Sequence, residues 1–347
     1  MCTNFALYST KNVSTYAITA RTMDFSQNLK THVCVVPRNK SFPAIELLPV
    51  HNPVKWTNQY GYVGMEAVFF EVARGITDGI NEVGLSIGEL WLPCSQYPKS
   101  ESATKPLLFN INISDWVLGN FASVAEVKAA LNTITVININ ERIPSARFPT
   151  HFVISDSTGA NIIIEFMNGA MQVYESDNGI MTNAPDYPWQ LNNLTNYVNL
   201  STTNNPIEIW GQQGNGNGCL GMPGDYTPPS RFVRAWMLQQ SAQNYTPKNT
   251  EEAVGLAARI LQNFGTPMGS IVENTPDHST ADKYLDRTQW GVVRDHKEKV
   301  YYYFTQFNNN LFSVDLKAID FSAIKASAMP IAQAVWHTDI TKGLINV

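Results

Sequence analysis

Cysteine is scarce in this chain: four among 347 residues, at Cys2, Cys34, Cys94 and Cys219. They are widely separated and form no CxxC pair, so zinc and thioredoxin-like chemistry lack support; a single disulfide stays open, a disulfide framework does not. The six histidines (His32, His51, His151, His278, His296 and His337) show no HxxH or HxxxH spacing. Each is expected as a surface or core residue, and neither a metal nor another cofactor is expected. Charge is sparse too, at 15% of residues with a formal net of −5. No basic run of the kind that neutralises phosphates occurs, so nucleic acid is not an expected partner. No apolar stretch approaches the length of a spanning helix, so neither is a membrane. An n-region, h-region and cleavage site are also missing. The expected location is the cytoplasm if Met1 is the native initiator, and the periplasm or exterior if Met1 replaces a removed signal peptide.

Apolar residues, by contrast, make up 44% of the chain, enough for a large core. The N-terminal part reads as a hairpin: CTNFALYS, a turn at KNVS, then TYAITARTMDF, rich in β-branched and aromatic residues. A turn at ITDGINEVG leads to GLSIGELWLP. A helix is expected over SVAEVKAALNTI, with Ser123 as N-cap, Glu126 as its capping-box partner, and Val124, Val127 and Leu131 on one face. HFVISD, NIIIEFM and AMQVYES follow as a meander with short turns. From Ala184 to Ser230 the composition turns to Asn, Gly, Pro, Thr and Gln, which reads as a long irregular excursion within one domain spanning 1–347. Two helices are expected next, SRFVRAWMLQQ from Ser230 and TEEAVGLAARILQNFG with Gly265 as its stop. The strands TQWGVVRD, KVYYYFTQF and NLFSVDL end the chain, joined by turns at HKEK and NNN. This order predicts α+β with antiparallel connections, not a doubly wound parallel sheet.

Two motifs offer chemistry of their own. GLSIG matches the G-x-S-x-G nucleophile elbow and would make Ser86 a hydrolase serine, but that elbow needs a helix after the strand and here Pro93 follows. GNGCLG, from Gly216 to Gly221, matches a dinucleotide fingerprint, yet it lies in an Asn-rich loop with Pro223 and Gly224 where the helix should run. It is expected to be a loop.

Cys2 is different, because it stands directly before a strand and directly after the initiator. If Met1 is removed, one residue carries both a thiol and a free α-amine. Such an amine titrates near about 7.7–8.0, so it can act as general base for its own thiol through a water. A nearby cation favours the thiolate. The returning strand brings Arg21 and Asp24 beside Cys2, the first to stabilise the thiolate and the second to hold the amine. Residues three apart point to opposite faces of a strand, so both can serve Cys2 only if the strand bends or ends near Met23.

Together, M-C-T, ARTMDF, DGINEVGL, MTNAP (Met181 to Pro185), LGMPGD followed by SRFVRA, and QWGVVRDHKEKVYYYF resemble the choloylglycine hydrolase family over nearly the whole chain. This family, of penicillin V acylases and conjugated bile acid hydrolases, belongs to the N-terminal nucleophile hydrolases. The resemblance implies an αββα sandwich of two antiparallel sheets between helical layers and an amidase acting on a small-molecule amide. By it, Cys2 is nucleophile and base, Arg21 and Asp24 flank it, and Asn183 supplies an oxyanion-hole donor. Arg231 matches the family's active-site arginine, with Arg234 close by. The residue after the GLSIGEL strand, here Trp91, completes the oxyanion hole through its backbone N–H and lines the pocket. Bile acid hydrolases usually carry Asn there, whereas Trp resembles the Gram-negative acylases. The long 184–230 connection instead resembles the branch in which that segment helps assemble a tetramer. The expectation is therefore a homotetrameric, penicillin V acylase-like enzyme for phenoxyacetyl or fatty-acyl amides, including N-acyl homoserine lactones. Its alternatives are a conjugated bile acid hydrolase, a serine hydrolase using Ser86, and an inactive binding protein with the same fold.

Overall fold

A computed structural model describes residues 1–8, 16–42, 50–69, 73–146, 148–204, 208–209, 212–213, 216–274, 281–331 and 337–340. Two antiparallel sheets dominate it. Their strands, in chain order, are β1 (Cys2–Tyr8), β2 (Ala17–Asp24), β3 (His32–Val36), β4 (Tyr62–Phe69), β5 (Ala73–Asn81), β6 (Ser86–Trp91) and β7 (Thr150–Ser155). There follow β8 (Asn161–Met167), β9 (Ala170–Glu175), β10 (Thr288–Asp295), β11 (Val300–Thr305), β12 (Asn308–Asp315) and β13 (Ser327–Pro330). One sheet runs β1-β2-β10-β11-β12, the other β9-β8-β7-β6-β5-β4-β3-β13. The helices are α1 (Ile113–Asn120), α2 (Val124–Leu131), α3 (Tyr187–Leu194), α4 (Pro228–Ala242) and α5 (Thr250–Leu261).

Alternation along the strands sets the layers. In β7 and β8, Val153 pairs with Ile163, and both join the cluster that holds Trp290 and Val292 of the facing sheet. Their neighbours Phe152, Ile154, Ile162 and Ile164 point the other way, into a second cluster with Val117 and Leu118 of α1 and Val127 and Leu131 of α2. Both faces of the strand are thus covered, which is why NIIIEFM reads as an apolar run. Helices α4 and α5 cover the smaller sheet, α4 on β1 and α5 on β2 and β10. The result is helix, sheet, sheet, helix, the expected αββα sandwich.

Local expectations mostly match this frame, with corrections. The hairpin strands pair Cys2 with Met23 and Asn4 with Arg21, while its KNVS turn lies outside the described residues. Residues Ile76–Asn81, expected as turn, extend β5, and the chain reverses only at Glu82–Gly84, where Gly84 takes φ +94. Ser123 caps α2 as expected, accepting from the Glu126 N–H at 3.3 Å. Helix α4 begins at Pro228, two residues before Ser230, because Thr227 and two prolines form a natural first turn. Asn308–Asn310 belong to β12, and the turn before it is Gln306–Phe307. The 184–230 excursion is also less irregular than its composition implies, since it holds α3, a short 3-10 turn at Thr195–Tyr197 and a two-residue ladder between Glu208–Ile209 and Gln212–Gln213.

Candidate active site

In antiparallel β1 and β2, the Cys2–Met23 and Asn4–Arg21 pairing puts Cys2 and Arg21 on one face, between the sheets. Arg21 Nη2 lies 3.8 Å from the Cys2 sulfur, and Met23 Sδ lies 3.9 Å from it. The guanidinium cannot drift. Its Nη1 donates to the Thr77 carbonyl at 2.8 Å and the Asp78 carboxylate at 3.2 Å, and its Nη2 donates to the Glu89 carbonyl. Gly88 leaves it room, since a Cβ there would come within 3.2 Å of Arg21 Cδ. Burial works against the charge, but Cys2 and Asp78 outweigh it and hold the Arg21 pKa above the ordinary arginine value. Asp78 in turn accepts from Tyr301 at 2.9 Å and pairs with Arg294 at 3.5 Å.

Asp24 divides its functions between the two faces, which resolves the parity problem. Its carboxylate points towards α4 and α5, accepting from Thr22 at 3.0 Å and from Thr288. Its backbone carbonyl faces the chain start, 2.6 Å from the Met1 ammonium and 4.0 Å from the Cys2 sulfur. The strand ends at this residue, opposite an irregularity between Thr288 and Trp290. Burial raises the Asp24 pKa, opposed by the terminal ammonium and Arg231. The ammonium also sits 3.4 Å from the Asp286 carboxylate. With Met1 in place, Cys2 carries a peptide N–H and no amine.

Asn183 is brought in by a bridge between Asn4 and Met181. Its Oδ1 accepts from the Cys2 N–H at 2.9 Å and Arg231 Nη2 at 2.6 Å. Two donors converging on one end fix that end as the oxygen. Its Nδ2 donates to the Trp91 carbonyl at 2.7 Å and keeps a second hydrogen. Trp91 is the last residue of β6. Leu92 N–H turns to Pro149 on the β7 side at 2.6 Å, so the Trp91 carbonyl and N–H share the opposite edge, facing Asn183. The half-buried Trp91 ring packs on Phe25, with centroids 5.7 Å apart.

The structure also separates the two arginines of SRFVRA. Arg231 donates to the Cys2 carbonyl, to Thr3 Oγ1 at 2.7 Å and to Asn183, while its Nε holds the Tyr226 carbonyl at 2.9 Å. Burial depresses its pKa. Arg234 instead binds the Pro223 and Asp225 carbonyls at 2.8 and 3.1 Å and lies over Phe264. Ser86 is fully buried, 3.4 Å from Arg294 Nη1 and 3.5 Å from the Ser155 carbonyl, with no helix after its strand. That environment supplies no elbow. Gly216–Gly221 falls in loop and turn, as expected.

Sequence reading missed Asp78, which holds Arg21, and Arg294 and Tyr301, which hold Asp78. The available signal was a charge at an inward position of an apolar strand. Among the described residues, no three His, Cys, Asp or Glu side chains gather to hold a metal. Likewise no helix there is long and apolar enough to cross a membrane. Chemically, the arrangement offers a thiol beside a fixed guanidinium, and amide and backbone N–H donors on one side of it.

Comparison with known proteins gives a consistent picture. Residues 2–328 match the family described as linear amide C–N hydrolases, choloylglycine hydrolase family. A bile salt hydrolase/transferase from Clostridium perfringens is 31% identical, over 91% of this chain and 92% of its own. A penicillin V acylase from Pectobacterium atrosepticum is also 31% identical, over 94% and 84%. The crystal structure of a conjugated bile acid hydrolase variant from Clostridium perfringens superposes with a TM-score of 0.81 at 26% identity, covering 98% of this chain and 100% of that one.

Proposed function

We propose a mechanism and a substrate class from the premise that this chain belongs to the choloylglycine hydrolase family and is a linear amide C–N hydrolase. Met1 is removed, and Cys2 becomes both nucleophile and base. The observation that carries this is the convergence of Arg21, Asn183 and Arg231 on the atoms of one residue, Cys2.

The α-amine takes the thiol proton through a water, and Arg21 favours the thiolate that attacks the amide carbon. The carbonyl oxygen becomes an oxyanion, accepting from Asn183 Nδ2 and the Trp91 N–H. The tetrahedral adduct collapses with cleavage of the C–N bond, and the α-ammonium returns its proton to the leaving amine. A thioester on Cys2 remains. Water, deprotonated by the same amine, attacks it and releases the carboxylic acid and the thiol. Arg231 holds the Cys2 carbonyl and Asn183 in place, and the Asp24 carbonyl and carboxylate stabilise the ammonium form. The reaction takes place within one catalytic domain, 1–347, assembled as a homotetramer.

The preferred substrates are phenoxyacetyl amides such as penicillin V and N-acyl homoserine lactones. The Trp91–Phe25 pair, its rings inclined at 60°, presents an apolar wall beside the donors, suited to a phenoxy ring or straight acyl chain, with aromatic contact worth about 0.5–1.5 kcal/mol beyond burial. A rigid steroid would crowd the same wall. The second reading, conjugated bile acids, is favoured by the long 184–230 segment. The test joins intact mass of the purified protein to kcat/KM for penicillin V, a medium-chain acyl homoserine lactone and glycocholate. Loss of Met1 and preference for the first two are expected, with Cys2→Ser folded but nearly inactive. Full activity with Met1 retained would remove the nucleophile assignment; a tenfold advantage for glycocholate would transfer the substrate to the second reading.

A further inference from the structure

We propose that His151 and Glu165, which no part of the mechanism uses, form a buried clamp that positions Asn183. This rests on the reading of Asn183 as an oxyanion donor. Phe152 of β7 pairs with Ile164 of β8, so His151 and Glu165 stand opposite each other one residue further along, each about 1% exposed. His151 Nδ1 lies 3.0 Å from Glu165 Oε1, and Nε2 lies 3.1 Å from the Thr182 carbonyl oxygen. Both ring nitrogens therefore face acceptors. A neutral imidazole has one N–H, so the two contacts are both hydrogen bonds only if the pair holds one proton more than neutral imidazole and carboxylate do. Glu165 is fixed beside the ring, its carboxyl accepting from the Tyr187 N–H at 3.1 and 3.0 Å. The clamp therefore requires a hydrogen on Nε2, towards Thr182, and one shared between Nδ1 and Glu165.

The clamp holds both ends of one short segment. Thr182 immediately precedes Asn183, and Tyr187 opens α3 just beyond Pro185. Between them, Gln190 Nε2 reaches the Asn183 and Pro185 carbonyls at 3.4 Å each. Thr182 Oγ1 donates to the Pro228 carbonyl at 3.1 Å, tying the segment to the helix that carries Arg231. A shift of the Thr182 carbonyl would turn Asn183 away from the oxyanion, and oxyanion stabilisation depends steeply on donor position. Neither clamp residue touches the Cys2 sulfur, so both are positioning residues.

The experiment uses Met1-free protein, with His151→Gln and Glu165→Gln made alone and in an Asn183→Ala background. Each single variant is expected to lower kcat at least tenfold with KM within twofold, while Cys2 alkylation by iodoacetamide keeps its rate. In the Asn183→Ala background the same substitutions should cost less than threefold, because the donor they position is gone. Nitrogen-15 NMR of the unsubstituted enzyme should show His151 Nε2 protonated. Equal losses in both backgrounds, an effect on KM alone, or an Nε2 without its hydrogen would each overturn the clamp. If Asn183→Ala itself leaves kcat intact, the oxyanion reading fails separately, and the NMR result still decides the Thr182 contact when the Gln variants do not fold.

Discussion

A single amide at Asn183 links three groups: it accepts from the Cys2 backbone and from Arg231, donates to Trp91, and retains one hydrogen. That economy makes its loss specific. Asn183→Ala is expected to lower kcat by roughly 10²–10³, the usual cost of one oxyanion donor. KM should change far less, since the donor acts on charge that develops only during reaction. Removing Oδ1 also leaves the Cys2 N–H and Arg231 Nη2 without that acceptor, at about 1–3 kcal/mol of stability. Steady-state kinetics and urea unfolding separate the two effects, and a change confined to KM would make Asn183 a substrate-binding residue instead. Cys2 and Arg21 were legible because a hairpin is local and its register puts them on one face. Asp78 and Arg294 were not, because their partners lie far away in sequence and no spacing rule connects them; His151 and Glu165 face each other across a local hairpin, but the Thr182 carbonyl that gives the pair its place lies 31 residues from His151.

At the level of elements, the 184–230 excursion carries apolar side chains that the fold leaves uncovered. Trp189 and Leu191 on α3 are 43% and 40% exposed, Val198 is 70% exposed and Leu220 80% exposed. A connection this long needs a role, and exposed large side chains gathered in one segment point to a covering partner. The occupant proposed is a second copy of this chain. Light scattering at micromolar concentration should give a tetramer, and Val198→Asp with Leu220→Asp should shift it to smaller species; a monomer before substitution would refute the assignment. Elements elsewhere in the chain show what escapes sequence reading. Helix α2 was legible because Ser123 caps it and one face is polar. Helix α1 was not, since every residue from Ile113 to Gly119 is buried and no polar face sets a period. Sheet order was equally hidden, because the β3–β4 and β6–β7 pairs join segments far apart in sequence.

Two buried groups give the whole molecule opposing responses to pH. Burial pushes Glu89 up to about 7 from an ordinary 4.5, with the Thr150 hydrogen bond and Arg21 offsetting only part of this. The folded state then binds the proton more tightly than the unfolded one. Its stabilising contribution is complete below about pH 4.5 and is lost as pH rises through 7. Burial pushes His296 down to about 4 from an ordinary 6.5, opposed by the Gly84 carbonyl and aided by Arg294. Here the unfolded state binds the proton more tightly, so the contribution is complete above about pH 6.5 and is lost as pH falls to 4. Each interval is worth about 3 kcal/mol by the usual conversion of pKa to free energy. Between pH 4.5 and 6.5 the two slopes therefore cancel. Removing one group exposes the other. In Glu89→Gln, stability should climb with pH across that interval relative to the parent, and in His296→Gln it should fall. The double variant should run parallel to the parent, because the remaining titrating groups are common to all four proteins. Urea unfolding of the four proteins at several pH values across the interval measures these slopes. If both single variants keep the parent's slope, neither group titrates in the folded state as its burial requires.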